Sequence, residues 1–139
     1  MHYSKLIKIN TSGRGTLEIT DRIQSVVSES GVVDGLCTVF IQHTSASLII
    51  CENADPSVRR DLETYISRLV ADGDRAYTHA SEGADDMASH IRSVLTQTSI
   101  GVPVGKGRLV LGTWQGIYLW EHRYHAHARR VSVTIIGSS

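Results

Sequence analysis

The order of its periodic segments constrains this chain most. Alternating stretches come in neighbouring groups with helical stretches between them, not one for one with helices. "HYSKLIKIN" (2–10) and "RGTLEIT" (14–20) read as two strands. Asp21 reads as the cap of a first helix, with Gln24 at the capping-box position, an inner stripe of Ile23, Val26 and Val27, and Gly31 as its stop. "GLCTVFIQHT" (35–44) and "SASLIICEN" (45–53) form the next pair. Asp55-Pro56 opens a second helix as N-cap and first-turn proline, with Val58, Leu62, Tyr65, Ile66 and Leu69 on one face and Arg59, Arg60, Asp61 and Glu63 on the solvated one. A third helix is predicted over 85–95, with Met87, Ile91, Val94 and Leu95 inward. "SIGVPV", "GRLVLGT", "GIYLWEH" and "RRVSVTII" supply four further strands, bounded by glycine turns. A doubly wound parallel sheet needs βαβ alternation, which this order lacks. The expectation is an α+β fold: a twisted antiparallel sheet or sandwich covered by about three helices.

At 139 residues the chain is expected to form one domain over 1–139 and to bury a sufficient core without staples. Fourteen basic and 14 acidic residues cancel, which argues against a dedicated nucleic-acid binder. Apolar runs such as Leu48–Cys51 are far shorter than the roughly 20 residues of a membrane span, and the N-terminus lacks a signal-peptide apolar region, so a cytoplasmic protein with no membrane partner is expected. Cys37 and Cys51 lie in apolar surroundings and read first as small buried hydrophobes, with a disulfide or a reactive thiol as alternatives.

Chemistry is sought where polar residues interrupt these strands. In "ADDMASHI" (84–91), Asp86 and His90 are four apart and stack on one side of a helix, where the carboxylate can orient the imidazole or both can bind one metal. "HTSAS" (43–47) puts an imidazole and three hydroxyls between two strands, either as an anion-binding turn or as an ordinary polar one. "GTWQGIYLWEHR" (112–123) brackets Thr113, Trp114 and Gln115 with glycines and places Glu121 at a strand end. "HRYHAHARR" (122–130) reads as a solvated hairpin loop that repels cations, although its arginines could hold a phosphate.

Taken in order, "HTSASL", "ENADPSVRRDLE", "EGADDMASHI", "GRLVLGTWQGIYLWEHR" and the closing arginine pair resemble the YjbQ family, described as secondary thiamine-phosphate synthases. The likeness covers nearly the whole chain, and "GRLVLGTWQGIYL" is its most specific piece. It implies a small α+β fold assembling as a homotrimer, and a pocket for small phosphorylated metabolites. The implied activity is weak: joining a hydroxymethylpyrimidine diphosphate to a thiazole phosphate. The alternative is a metal- or phosphate-metabolite-binding protein, or a metal-dependent hydrolase. On this resemblance His43, Asn53, Asp86 and Glu121 are the candidate catalytic residues, and Thr44, Ser45, Thr113, Trp114, Gln115 and Arg130 the candidate substrate- and phosphate-binding ones. His43, His79 and His90 are the candidate metal ligands. Imidazoles suit zinc, whereas a diphosphate transferase usually employs magnesium, so the ion stays open between the two. Tyr124–Ala128 falls outside the pattern, and His125 and His127 take no role from it.

Overall fold

The computed structural model describes residues Met1–Ser139. Eight strands and three helices follow in the order β1 (His2–Asn10), β2 (Gly15–Glu18), α1 (Thr20–Ser30), β3 (Asp34–Ile41), β4 (Ala46–Glu52), α2 (Pro56–Leu69), α3 (Asp86–Leu95), β5 (Ser99–Gly105), β6 (Arg108–Leu109), β7 (Gln115–Glu121) and β8 (Ala128–Ser138). The strands form two sheets, a five-stranded one ordered β1-β8-β3-β5-β6 and a three-stranded one ordered β2-β7-β4. Every pairing is antiparallel, and the fold is the expected α+β sandwich with three helices. No helix is long and apolar enough to cross a membrane.

The main core lies between the sheets, where Ile7, Val39, Val131, Val133 and Ile135 meet Leu48, Ile117 and Leu119, and α1 adds Ile23, Val26 and Val27. A second apolar cluster on the other face of the small sheet joins Trp120 to Ile66, Val70 and Ala88 of the helical layer. The small sheet is therefore buried on both faces, which is why "IYLW" is continuously apolar and does not alternate.

Each helix departs from its predicted pattern for an identifiable reason. Helix α1 starts at Thr20 behind Ile19, with no side-chain cap, because Ile19 N–H still donates to Ile117 carbonyl in the sheet. Gln24 is not a capping residue: it accepts from Leu109 N–H at 2.9 Å and donates to Gly107 carbonyl at 3.2 Å, tying α1 to the β5–β6 hairpin. Helix α2 is capped as expected, Asp55 accepting from Ser57 N–H at 2.9 Å, but Tyr65 and Leu69 are exposed. Helix α3 splits the reading: Ile91 packs on the second apolar cluster and Met87 is half buried, but the end of the stripe is not inward. Val94 is 83% exposed and Leu95 is exposed too, while Asp86, Ser89, Arg92 and Ser93 turn inward. Polar partners on α2 and just beyond the end of β7 hold Asp86 and Arg92 inward, as detailed below. "GRLVLGT" yields only the two-residue strand β6, and both cysteines are free.

Close packing of β3 on β8 depends on a glycine pair. Gly35 faces Gly137 across the ladder, and a Cβ at Gly35 would collide with the Ile136 carbonyl oxygen. Overpacking of this kind costs about 1–3 kcal/mol. Gly35→Ala should lower the urea midpoint accordingly; a loss below about 0.5 kcal/mol would show that the ladder yields easily.

Candidate metal centre

The chain crosses from the large sheet to the small one between Ile41 and Ala46, and the polar break His43–Ser45 is that crossing. Ala46 pairs with Glu121, so the crossing sits at the end of the sandwich where β7 runs out into His122 and Arg123. Helix α3 begins at the same end, and the three segments meet.

Asp86 is the hub. Arg123 Nη1 donates to its Oδ1 at 2.7 Å, and Arg123 Nε donates to Asp85 Oδ2 at 3.1 Å. Oδ2 of Asp86 is left facing two imidazoles, His79 Nε2 at 2.8 Å and His90 Nε2 at 3.3 Å. Burial opposes ionisation of Asp86, but the His79 hydrogen bond and the charges of His90 and Arg123 outweigh it and hold the carboxyl below its usual range. The His90 tautomer follows from its other nitrogen, because Nδ1 lies 3.1 Å from Thr44 carbonyl, which can only accept. In its neutral form His90 therefore turns the Nε2 lone pair toward a carboxylate oxygen, two acceptors facing each other, whereas its charged form donates to that oxygen. A cation between them removes the conflict, and a histidine braced through Nδ1 onto a backbone carbonyl is the usual arrangement of a metal ligand.

The dimensions fit. The three ligand atoms lie within 4.8 Å of one another. Tetrahedral zinc with bonds of about 2.1 Å separates neighbouring ligand atoms by roughly 3.4 Å, close to the His90–Asp86 spacing. The 2.8 Å His79–Asp86 contact has to widen, and His79 is half exposed on a loop. Two imidazoles and one carboxylate suit zinc or another first-row transition ion better than magnesium, which prefers six oxygens.

His43 lies outside this ligand set. Its Nε2 accepts from Arg130 N–H at 2.8 Å, so the neutral ring carries its proton on Nδ1 and has no free lone pair. Nδ1 faces Arg129 Nη1 at 3.4 Å, donor to donor. Burial, and then the Arg129 guanidinium, lower the His43 pKa, so the ring is neutral and presents an N–H beside an arginine. That pair suits an anion, not a cation.

Arg129, not Arg130, is the arginine turned toward this end of the sandwich. Its Nε donates to Glu121 Oε1 at 2.8 Å and its Nη2 to Ser45 Oγ at 3.0 Å, with a further short contact to Glu121 Oε2. The Arg130 side chain is on the exposed outer face. Strand parity carried this signal: with Val131, Val133 and Ile135 inward, Arg129 must point inward as well. Burial opposes the charge on Glu121, but bonds from Arg129 and Thr11 keep its carboxyl below the usual range. Both carboxylate oxygens are engaged, so Glu121 positions Arg129 and does not offer an open acid or base. Arg123 had no periodic signal, because it lies in a loop.

The remaining predicted residues are at the other end of the small sheet. Glu52 pairs with Gln115, six ladder positions and about 20 Å from Ala46–Glu121. There Asn53 N–H donates to Trp114 carbonyl at 2.9 Å, and Gln115 Oε1 accepts from Gly112 N–H at 2.8 Å. Thr113 and Trp114 are exposed. Within one chain, Asn53, Thr113, Trp114 and Gln115 do not join the histidines.

Two cavities are relevant. The larger, about 670 Å³ between α2 and the β4–β5 region, contains Cys51 and Trp120 but no titratable cluster, and burial raises the Cys51 thiol pKa. The other, about 460 Å³, has Phe40, His43, Thr44, His90, Ser93 and Thr98 in its wall and adjoins the metal-ligand cluster through His90.

Comparison with known proteins agrees with this architecture. A family model described as UPF0047 protein YjbQ-like matches residues 5–138. The chain belongs to the YjbQ family. The UPF0047 protein sll1880 of Synechocystis is 52% identical over 135 residues, covering 97% of this chain and 92% of that protein. YjbQ of Escherichia coli O157:H7 is 46% identical over 138 residues and covers 99% of both chains. A YjbQ/UPF0047 crystal structure from Clostridium acetobutylicum superposes with TM-score 0.87 at 37% identity, covering 95% of this chain and 99% of that one. APE1520 from Aeropyrum pernix gives 0.88 at 27% identity, covering 98% and 99%.

The buried network beneath the candidate centre yields a pH prediction. His122 is fully buried, accepts from Arg92 Nε at 2.9 Å and pairs with Ser47 Oγ at 2.8 Å. Burial first, and then the charges of Arg92 and its neighbours, push its pKa down to about 2. The unfolded chain takes up this proton below its ordinary pKa of about 6.5, and the folded chain does not. The stability due to a neutral His122 is therefore full above that pH and is lost as pH falls toward 2. Between pH 7 and pH 5 the loss is about 2 kcal/mol. Urea melts of His122→Gln should show a pH dependence weaker than the parent's by that amount, whatever the variant's absolute stability.

Proposed function

We propose that this chain holds a divalent transition-metal ion at His79, Asp86 and His90 and uses it to bind the phosphate or diphosphate of a small metabolite. The carrying observation is that ligand atoms of His79, Asp86 and His90 converge within 4.8 Å, with the other imidazole nitrogen of His90 committed to Thr44 carbonyl. When bound, the ion would supply positive charge to phosphate oxygens. Around it, Arg123 holds Asp86 in orientation, while His43 Nδ1–H and Arg129 provide the anion donors and Ser45 anchors Arg129. Thr44 steers His90 through its carbonyl and lines the adjoining cavity.

The reaction implied by resemblance is weak thiamine-phosphate formation from a pyrimidine diphosphate and a thiazole phosphate. Such a condensation asks the protein mainly to position two partners and to neutralise the departing diphosphate, which this set of donors suits. A second reading is metal-assisted hydrolysis of a phosphate ester, favoured by the half-exposed His79, which leaves the cluster open to water. Product analysis separates them: condensation consumes both substrates together, whereas hydrolysis releases inorganic phosphate from one alone.

Metal analysis after zinc loading should find about one ion per chain, lost in Asp86→Asn and His90→Ala and retained in His43→Ala and Asn53→Ala. Retention by Asp86→Asn would remove the proposed centre. His43→Ala should keep the ion yet bind inorganic phosphate at least tenfold more weakly.

We also propose the homotrimer that the resemblance implies. The outer face of the large sheet leaves Leu6, Leu36 and Ile136 exposed, an apolar area that a neighbouring copy could cover. An assembly setting the Trp114 loop of one copy against the histidines of the next would reunite the predicted constellation. Light scattering should give three times the 15.2 kDa chain mass, and Leu36→Glu should lower it to that of one chain.

A further inference from the structure

We propose that the 460 Å³ cavity behind His90 receives the non-phosphate part of the metabolite, and that Ser93 is the residue that recognises it. This rests on the metal reading above and names the class of molecule that the centre takes: a phosphate ester of an apolar group bearing one hydrogen-bonding heteroatom.

Position comes first. His90 and Ser93 are three residues apart on α3, hence on the same side, and both line the cavity. The His90 ring is the partition. Its Nε2 faces Asp86, and its flank forms cavity wall, so a molecule whose phosphate meets the ion would have its remainder beside this wall.

Ser93 then stands out by what it lacks. It is 8% exposed, and its Oγ is the one buried side-chain oxygen or nitrogen with no hydrogen-bond partner. Hydroxyls on this helix normally bond back to the preceding turn: Ser89 donates to Asp85 carbonyl at 2.6 Å, and Thr96 to Arg92 carbonyl at 2.8 Å. Ser93 does not. A buried polar atom without a partner calls for an explanation, and here the residue lines an open cavity, toward which a turn about χ1 would bring the hydroxyl.

The rest of the wall defines the ligand. Phe40, Ile41 and Val94 present carbon, and Gln42, His43, Thr44 and Thr98 are the other polar members. No carboxylate or ammonium lines the space, so it favours a neutral group. A heteroatom placed opposite Ser93 would satisfy the orphan hydroxyl.

Titration calorimetry on the zinc-loaded protein tests this with inorganic phosphate, benzyl phosphate and 3-hydroxybenzyl phosphate as probes. Burial of the aryl group should make benzyl phosphate bind about tenfold tighter than phosphate. The hydroxylated probe should bind tighter still. Ser93→Ala removes a hydroxyl that bonds to nothing, so its thermal midpoint should equal or exceed the parent's, while the added preference for the hydroxylated probe disappears. Ser93→Leu should fill the cavity, abolishing the preference for both aryl probes but not phosphate binding. Failure of inorganic phosphate to bind the zinc-loaded parent would overturn the metal reading and this inference with it. Phosphate binding with no aryl preference, or an aryl preference unaffected by Ser93→Leu, would overturn this inference alone.

Discussion

The placement of the candidate centre depends on one buried cation. Arg92 is fully buried on α3 and bonds in two directions, donating through Nε to His122 Nδ1 at 2.9 Å and through Nη2 to Glu63 Oε1 at 2.7 Å. Glu63 also accepts from Trp120 Nε1 at 3.0 Å, and burial of its charge is outweighed by the Arg92 and Trp120 bonds. Ser47 extends the network from His122 to Thr96. One guanidinium thus joins α2, α3, β4 and β7. A buried charge without its partner is costly, so the network has a single low-energy arrangement and α3 cannot rotate about its axis.

That constraint acts directly on the chemistry. Asp86 and His90 are on the same helix as Arg92 and inherit its position. Arg123 and Asp85 then fix the first turn, and Thr44 carbonyl fixes the His90 tautomer. Arg14 closes the other side, bonding Asp72 with both terminal nitrogens and tying the loop that leads to His79 onto the sandwich. A second ion pair, Glu121–Arg129, orders the sheet-to-sheet crossing that carries His43 and Ser45. The site is therefore built from buried charge pairs around a rigid strand end, while His79, the most exposed ligand candidate, keeps the freedom to adjust.

Much of the framework was legible along the chain. The strand segments and the Asp55-Pro56 helix start follow from local periodicity and turn chemistry, but their pairing does not: β1 and β2, like β3 and β4, are neighbours in sequence and lie in different sheets. The Asp86–His90 pair was legible too, because a spacing of four is a property of the helix itself. The inner face of α3 was not legible. Met87, Ile91, Val94 and Leu95 form a respectable apolar stripe, yet the helix buries Asp86 and Arg92, because Glu63, His122 and Arg123, their partners, lie 29 to 37 positions away in sequence. Strand parity alone separates Arg129, turned inward, from Arg130, exposed on the outer face.

The sequence by itself determined the elements, the antiparallel α+β architecture and the residue types available for chemistry. Those depend on interactions within a few positions, where periodicity, caps and glycines act. Only the tertiary structure decided which polar groups meet. It brought His79 to Asp86 and His90, gave His43 to an arginine pair, and put Asn53 and Trp114 at the opposite end of a seven-residue strand. The reason is that pairing buried charges depends on where distant segments cross, and no local pattern encodes that crossing.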